Sequence, residues 1–201
     1  MTKIVTILTE GFADWETALI NAVGRGFYGI DTAFATPGGT PVTSAAGMRV
    51  TPDMAVEAID PAGLDVLLVC GGSAWESAEA PDVTAVLRAT HEAGKIVGAI
   101  CAATLQLAKA GLLDDVAHTS NAAGFLDQTG YAGVSLYRDA PQAVLADRIV
   151  TAAGTSPVSL MAKVMEALGL ADANLDYYLG LHAAQFGPTP MAATAPSPAT
   201  S

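Results

Sequence analysis

The chain has only two cysteines among its 201 residues, Cys70 and Cys101, so it cannot hold a framework of disulfide bonds. It is also poor in basic residues, because nine Lys and Arg stand against 20 Asp and Glu and give a net charge of −11. This charge argues against binding to nucleic acid or to an anionic membrane surface. No apolar run approaches the roughly 20 residues that span a bilayer, and no basic leader with a cleavage site follows Met1. We therefore expect a cytoplasmic protein without a signal peptide.

The chain is rich in the residues of a folded core. Hydrophobic residues make up 51% of it and charged residues 14%, and this length fits one domain. We assign that domain to residues 1–186. Residues 187–201 are mostly Pro, Ala, Thr and Ser and are predicted to be a disordered tail.

Short apolar runs alternate with longer helical stretches. Strands are predicted at 3–8, 31–35, 66–69, 96–100 and 149–151, and weaker candidates at 49–50 and 134–137 could form a hairpin or an edge. Helices are predicted after Asp14 (as N-cap), around 83–90, and at 102–110, 159–168 and 175–186. In the first helix, the apolar face is predicted from Trp15, Ala18, Leu19, Ala22 and Val23. This order predicts an α/β fold whose mostly parallel sheet is covered by helices on both faces.

Cys101 is placed at a sharp turn between a predicted strand and a predicted helix. Residues 95–100 form the apolar run KIVGAI, and an alanine-rich helix begins directly after the cysteine. A side chain at such a turn projects from the carboxyl edge of the sheet, where open α/β sheets bind ligands. Unpaired N–H groups at the helix start stabilise a thiolate, so we expect the pKa of Cys101 to lie below the free value of about 8.5. The competing interpretation is a small buried residue at a strand end.

A glycine pair follows the preceding predicted strand. Gly71 and Gly72 come after residues 66–69 and Cys70, and glycine lets backbone N–H groups approach a ligand closely. Together with the N–H of Ala102, the N–H of Gly72 could form an oxyanion hole for a substrate oxygen. The competing interpretation is a simple turn.

Glu16 lies in the first turn of the helix after the first strand, at the same predicted edge of the sheet. Its spacing with Ile20 and Val23 places the carboxyl group on a partly apolar side of the helix. A carboxyl group there has a raised pKa and can share a proton with a thiolate. The competing interpretation is an anion that stabilises the helix N-terminus.

The chain contains the segments VCGGSAWES, VGAICAATLQLAKAGLLDDVAHTSN and TAAGTSPVSLMAKVMEALG, with Trp15-Glu16-Thr17 in the first helix. In this order they resemble the ThiJ/PfpI family of the class I glutamine amidotransferase-like superfamily, from about residue 3 to residue 168. The resemblance implies a flavodoxin-like three-layer sandwich with a strand-to-helix nucleophile elbow, often as a homodimer. It also implies that Cys101 is the nucleophile, Glu16 its protonated partner, and Gly72 with Ala102 the oxyanion donors.

The sequence departs from several branches that it resembles. PfpI-type peptidases have a histidine directly after the cysteine, where this chain has Ala102. Glutamine amidotransferases have a His-x-Glu after a late strand, whereas residues 152–158 read AAGTSPV. Isonitrile hydratases have an aspartate at Glu16 and a threonine at Ala102. The glyoxalase/deglycase-like branch fits best, although its accessory histidine would fall near Ser120.

The three histidines and the acidic residues give little sign of a cofactor. His91 is predicted on a solvated helix and His182 in the terminal helix, whereas His118 could line the site. No cluster of His, Cys, Asp or Glu has zinc-ligand spacing, and no Gly-x-Gly-x-x-Gly follows a strand. We therefore expect neither a metal nor a cofactor.

Several kinds of function fit these residues. The first is a cysteine-dependent enzyme that acts on a small electrophilic carbonyl compound, with Cys101 as nucleophile and Glu16 as proton carrier. The second is a redox or stress-response protein that uses the same cysteine. A hydratase or amidotransferase-like hydrolase on another small substrate, or an inert interaction module, remains open. The sequence does not identify the substrate, and a homodimer is the expected assembly.

Overall fold

The helices and strands follow the alternating pattern of the sequence. A computed structural model describes residues 1–187. In chain order the elements are β1 Lys3–Ile7, α1 Asp14–Tyr28, β2 Asp31–Thr36, β3 Val42–Thr43, β4 Arg49–Val50, β5 Met54–Ala55, β6 Val66–Val69, α2 Thr84–Glu92, β7 Ile96–Ile100, α3 Thr104–Lys109, β8 Val144–Ala146, β9 Ile149–Ala152, α4 Pro157–Ala167 and α5 Ala173–Ala184. The predicted disordered tail lies outside the described residues, apart from Gly187.

Seven strands form the central sheet, in the order β5-β2-β1-β6-β7-β9-β8. Neighbouring strands are parallel throughout, except that β8 runs antiparallel to β9. Every residue of β6, β7 and β9 is buried, as expected for strands with helices on both faces. The remaining two strands, β3 and β4, pair separately as an antiparallel hairpin.

Side chains of the central strands alternate between two apolar cores. Leu67 and Val97 belong to one core, which α2 and α3 cover. Leu68 and Ile96 belong to the other, which α1, α4 and α5 cover. This arrangement confirms the predicted three-layer, flavodoxin-like sandwich. No helix among residues 1–187 is long and apolar enough to cross a membrane.

The buried face of α1 differs from the predicted one. Trp15, Ala18 and Ala22 are exposed, and the buried side chains of the helix are Glu16, Thr17, Ile20, Asn21 and Val23. Exposing an alanine methyl costs little, whereas Asn21 is buried because it exchanges hydrogen bonds of 3.1 and 3.3 Å with Thr6 of β1. Asp14 is also not the N-cap, a position that Ala13 holds.

The weaker strand candidates have different outcomes. Arg49–Val50 pairs with Val42–Thr43 in the hairpin, whereas Val134–Leu136 forms a 3-10 turn and not a strand. The sheet edge next to β9 is instead formed by β8, which is joined to β9 by a tight turn. That turn needs positive φ at both Asp147 (44°) and Arg148 (60°), a conformation that side chains rarely adopt.

Candidate active site

Cys101 occupies the turn at the carboxyl end of β7. Its φ of 61° lies in the left-handed region, which is unusual for a residue with a side chain and marks a locally strained turn. A 3-10 turn, Cys101–Ala103, leads into α3, and the hydroxyl of Thr104 donates a 2.6 Å hydrogen bond to the Cys101 carbonyl. The side chain is half-buried. The strand-to-turn-to-helix geometry is the one that the sequence predicts.

Glu16 lies fully buried in the first turn of α1, beside Cys101. The N–H of Gly71 donates a 2.7 Å hydrogen bond to Oε2. Oε1 has no hydrogen-bond partner within residues 1–187. Burial raises the pKa of Glu16 to about 7, and the neighbouring Cys101 thiol and the Gly71 N–H oppose this rise.

Two glycines give the thiol and the carboxyl group the space to meet. A Cβ atom on Gly154 would lie 3.0 Å from Cys101 Sγ and 3.0 Å from Glu16 Oε1. A Cβ atom on Gly71 would collide with Glu16 Oε2 and lie 2.6 Å from Cys101 Cβ. Side chains at these positions would therefore occupy the space between the two reactive groups.

Asn121 holds the sulfur from a third direction, and sequence reasoning missed it. Its Nδ2 donates a 3.3 Å hydrogen bond to Cys101 Sγ. The N–H of Gly154 donates a 3.0 Å bond to Oδ1, which fixes the amide so that its NH₂ group faces the sulfur. The only available signal was its position, one residue after Ser120. The Ser120 hydroxyl itself is buried in a 2.7 Å hydrogen bond with that of Thr104.

The electrostatics of Cys101 differ from the sequence expectation. Burial raises the pKa of Cys101, and the ionised carboxylate of Glu16 raises it further. Hydrogen bonds from Asn121 and from the Ala102 N–H lower the pKa but do not reverse the shift. Desolvation and the neighbouring carboxylate outweigh the N–H groups at the helix start. Burial raises the pKa of the other cysteine, Cys70, to about 12, and its side chain is wholly enclosed.

A cleft with a volume of about 520 Å³ opens onto the Cys101 thiol. Its size lies within the range of small-molecule sites. The predicted oxyanion donors Gly72 and Ala102 are not among the lining residues, Ala102 is buried, and the N–H of Gly71 is engaged by Glu16. The lining residues are Trp15, Glu16, Cys101, Asn121, Ala153, Gly154, Thr155 and Pro157.

All three histidines lie among the described residues, and none lines this cleft. His118, which was expected as a candidate, is fully buried between Val116 and Tyr131. Its Nδ1 lies 2.8 Å from the Val116 carbonyl and its Nε2 lies 3.1 Å from the Tyr131 hydroxyl. Both ring nitrogens are therefore engaged away from the cleft. His91 contacts the Asp147 carbonyl, and His182 packs edge-on against Tyr178.

The described residues give no grouping suited to a metal. Within residues 1–187, no three or more His, Cys, Asp or Glu side chains converge on a point where an ion could bind.

Comparison with known proteins identifies relatives along most of the chain. The model of the DJ-1/PfpI family matches residues 2–167. A Bacillus subtilis (strain 168) protein named uncharacterized protease YoaZ is 31% identical over 133 residues, 63% of this chain and 61% of the relative. The chain therefore aligns with about six-tenths of that relative's length. A Caenorhabditis elegans protein named glutathione-independent glyoxalase DJR-1.2 is 28% identical over 143 residues, 70% of this chain and 74% of the relative.

Solved structures show the same architecture. A DJ-1 superfamily protein from Agrobacterium tumefaciens is 40% identical with a TM-score of 0.90, over 92% of this chain and 99% of that one. A thiJ/pfpI family protein from Bacillus anthracis is 25% identical with a TM-score of 0.82, over 92% of this chain and 91% of that one. The family resemblance of the sequence is thereby confirmed. The chain belongs to the DJ-1/PfpI family.

Proposed function

We propose that the chain is a cysteine-dependent enzyme that hydrates a small electrophilic carbonyl compound, in the manner of a glyoxalase or deglycase. The observation that carries this proposal is the half-buried Cys101 thiol against a buried carboxyl group whose pKa is about 7. A general acid–base group works best when its pKa lies near the operating pH. The name of the 28% identical glyoxalase relative supports the same chemistry.

The first step forms a bond between Cys101 Sγ and the aldehyde carbon of a 2-oxoaldehyde. The ionised carboxylate of Glu16 accepts the thiol proton as the sulfur attacks, and the carbonyl electron pair moves onto oxygen. The same carboxyl group then donates its proton to that oxygen, which gives a neutral hemithioacetal. A group that is present in both protonation states near neutral pH can perform both transfers.

The second step moves a hydrogen between the two carbons of the substrate. Glu16 removes the hydrogen of the former aldehyde carbon as a proton, and an enediol takes a proton back at the neighbouring carbon. The first carbon is thereby oxidised to a thioester and the second reduced to an alcohol, so no external oxidant is needed. Water cleaves the thioester to release a 2-hydroxy acid and the free thiol.

N–H donors around the sulfur would stabilise the charge that develops in these steps. Asn121 Nδ2 and the Ala102 N–H both point toward Cys101 Sγ. An N–H in a partly water-excluded site is already oriented when the charge develops, so it costs no rearrangement. The oxyanion role of Gly72 stays a prediction.

Two other activities use the same cysteine. Thiol peptidases and amidases that pair their cysteine with a histidine differ from this site, because no histidine lines the cleft of the described structure. Reversible oxidation of Cys101 is the second candidate function, because the thiol is partly exposed and Asn121 could donate to a sulfenate or sulfinate.

The test is turnover of methylglyoxal, with lactate measured as the product. We expect the wild-type protein to form lactate without added glutathione and the Cys101→Ser variant to form none above background. A Cys70→Ser variant is the matched control and should keep its activity, since Cys70 is enclosed and not part of the cleft. Equal rates for wild type and Cys101→Ser would refute the proposal. Peroxide-dependent mass gain at Cys101 without any turnover would favour the redox alternative.

A further inference from the structure

Trp15 is exposed at the entrance of the cleft and yet held in one orientation. Trp15 is 57% exposed and is next in sequence to Glu16. The Nε1 of its indole ring donates a 3.0 Å hydrogen bond to the Gly154 carbonyl. The other tryptophan, Trp75, is fully buried. An indole fixed in this way presents a rigid aromatic surface beside the reactive thiol.

The cleft offers more room than the smallest 2-oxoaldehydes fill. Ala153 and Pro157 add apolar surface to that of Trp15. A second hollow of about 480 Å³ lies beside the cleft, shares Thr155 and Pro157 with it, and extends toward α5. Its apolar lining includes Leu179 and Phe186. The cleft of about 520 Å³ therefore has room for a substituent larger than a methyl group beside apolar surface.

The charge of the site disfavours anions. None of the eight residues that line the cleft is Lys, Arg or His, and one of them is Glu16. The chain as a whole carries a net charge of −11. A carboxylate or phosphate group brought next to Cys101 would lose its hydration beside a buried carboxyl group without gaining a cationic partner.

We infer that the cleft selects neutral 2-oxoaldehydes with a flat apolar substituent, such as phenylglyoxal, and that Trp15 is the surface on which this substituent packs. The inference rests on the proposed function and adds a substrate class to it. Trp15 is thereby a specificity-determining residue, whereas Cys101 and Glu16 perform the chemistry.

The experiment compares kcat/KM for phenylglyoxal and methylglyoxal in wild type and in Trp15→Ala. We expect Trp15→Ala to lower the phenylglyoxal to methylglyoxal ratio by about three- to tenfold, which corresponds to the loss of one aromatic contact. Methylglyoxal activity of the variant serves only as the reference for this ratio, and thermal unfolding measured in parallel shows whether the variant is folded. Trp15→Phe retains an aromatic face and should keep most of the ratio. Phe27→Ala removes another exposed aromatic side chain of α1, outside the cleft, and should leave the ratio unchanged.

An unchanged ratio in Trp15→Ala would overturn the inference while leaving the proposed function intact. Absence of turnover with both aldehydes in wild type would instead refute the proposed function, and the inference with it.

Selection against anions can be measured without turnover, by alkylation of Cys101. Iodoacetamide and iodoacetate have similar sizes, but only iodoacetate is anionic. For each thiol we take the rate of alkylation by iodoacetamide divided by the rate by iodoacetate. We expect this ratio to be about tenfold or more higher at Cys101 than with free glutathione. Equal ratios for Cys101 and glutathione would overturn the selection against anions.

Discussion

At Cys101, two influences act on the sulfur in opposite directions. Burial and the Glu16 carboxylate raise the pKa of the thiol, whereas N–H groups from Asn121 and Ala102 lower it. The thiol and the carboxyl group interact closely, so their protons come off as a coupled pair. The N–H donors therefore limit how far burial and the carboxylate raise the pKa of the thiol.

The first prediction concerns Asn121. In Asn121→Ala the sulfur loses a hydrogen bond of 3.3 Å that favours its charged form, so the pKa of Cys101 should rise further. Thiolate absorbance measured against pH reads this shift, and iodoacetamide labelling near neutral pH should slow by about tenfold. Asn174→Ala is the control, since that exposed side chain donates a hydrogen bond to Asp172 and does not line the cleft. An unaltered Cys101 titration would show that Asn121 contributes nothing to the thiolate.

The meeting of Cys101 and Glu16 could be anticipated from the sequence, but the role of Asn121 could not. Cys101 and Glu16 each follow a predicted parallel strand, and the carboxyl ends of such strands share one edge of a sheet. Asn121 reaches the sulfur only because the Gly154 N–H, 33 residues further along the chain, orients its amide. His118 was a reasonable candidate by residue type, yet its burial beside Tyr131 depends on a loop that shows no periodic pattern.

At the scale of elements, continuous apolar runs predicted the strands that are buried on both faces. The buried face of α1 was predicted only in part: Val23 and Leu19 face the core as expected. Its polar members were missed because they are buried through specific contacts, such as that between Asn21 and Thr6, which hydrophobic spacing does not reveal. The edge strand β8 was missed because Val144–Ala146 is only three residues long and half-buried. Short edge strands carry too little hydrophobic signal to predict.

The turn between β9 and α4 leads to the second prediction. Gly154→Ala would place a methyl group 3.0 Å from both Cys101 Sγ and Glu16 Oε1, so turnover and alkylation of Cys101 should each fall by about tenfold or more. The matched control is Gly180→Ala on α5, whose added methyl group meets nothing within 4 Å. That variant should keep full activity. Activity measured beside thermal unfolding separates blockage of the site from loss of the fold, and a fully active Gly154→Ala protein would contradict the described geometry.

At the scale of the whole molecule, Glu16 links stability to pH. Its pKa is 4.5 when solvated and about 7 in the folded chain, so the folded state holds this proton more tightly than the unfolded state. The resulting stabilisation is complete below about pH 4.5 and is lost as pH rises through about 7. Between about pH 5 and pH 8, the free energy of unfolding should fall by up to about 3 kcal/mol from this group.

The measurement is denaturant unfolding of wild type and Glu16→Gln over this pH range. The wild type should lose its advantage over the variant as the pH rises, whereas other titrating groups affect both proteins alike. A difference in unfolding free energy that does not vary with pH would show that the carboxyl group is already ionised at low pH.

The surface of the molecule supports a prediction about assembly. Phe27 at the end of α1 is 80% exposed, and Tyr177 on α5 is 70% exposed. Leu181 lies with them along one apolar groove. We propose that the chain forms a homodimer, and light scattering at micromolar concentration should then give about twice the chain mass of 20.3 kDa. A mass equal to one chain would refute the dimer.

The pairing of the Cys101 nucleophile with Glu16 as its proton carrier is tested most directly by Glu16→Gln. The glutamine has a similar shape and can still donate a hydrogen bond, but it cannot exchange a proton. We expect alkylation of Cys101 by iodoacetamide to stay within about tenfold of wild type, while methylglyoxal turnover measured in parallel falls by about 10²- to 10⁴-fold. Turnover by Glu16→Gln at the wild-type rate would show that this carboxyl group carries no proton in the reaction, and would contradict the mechanism.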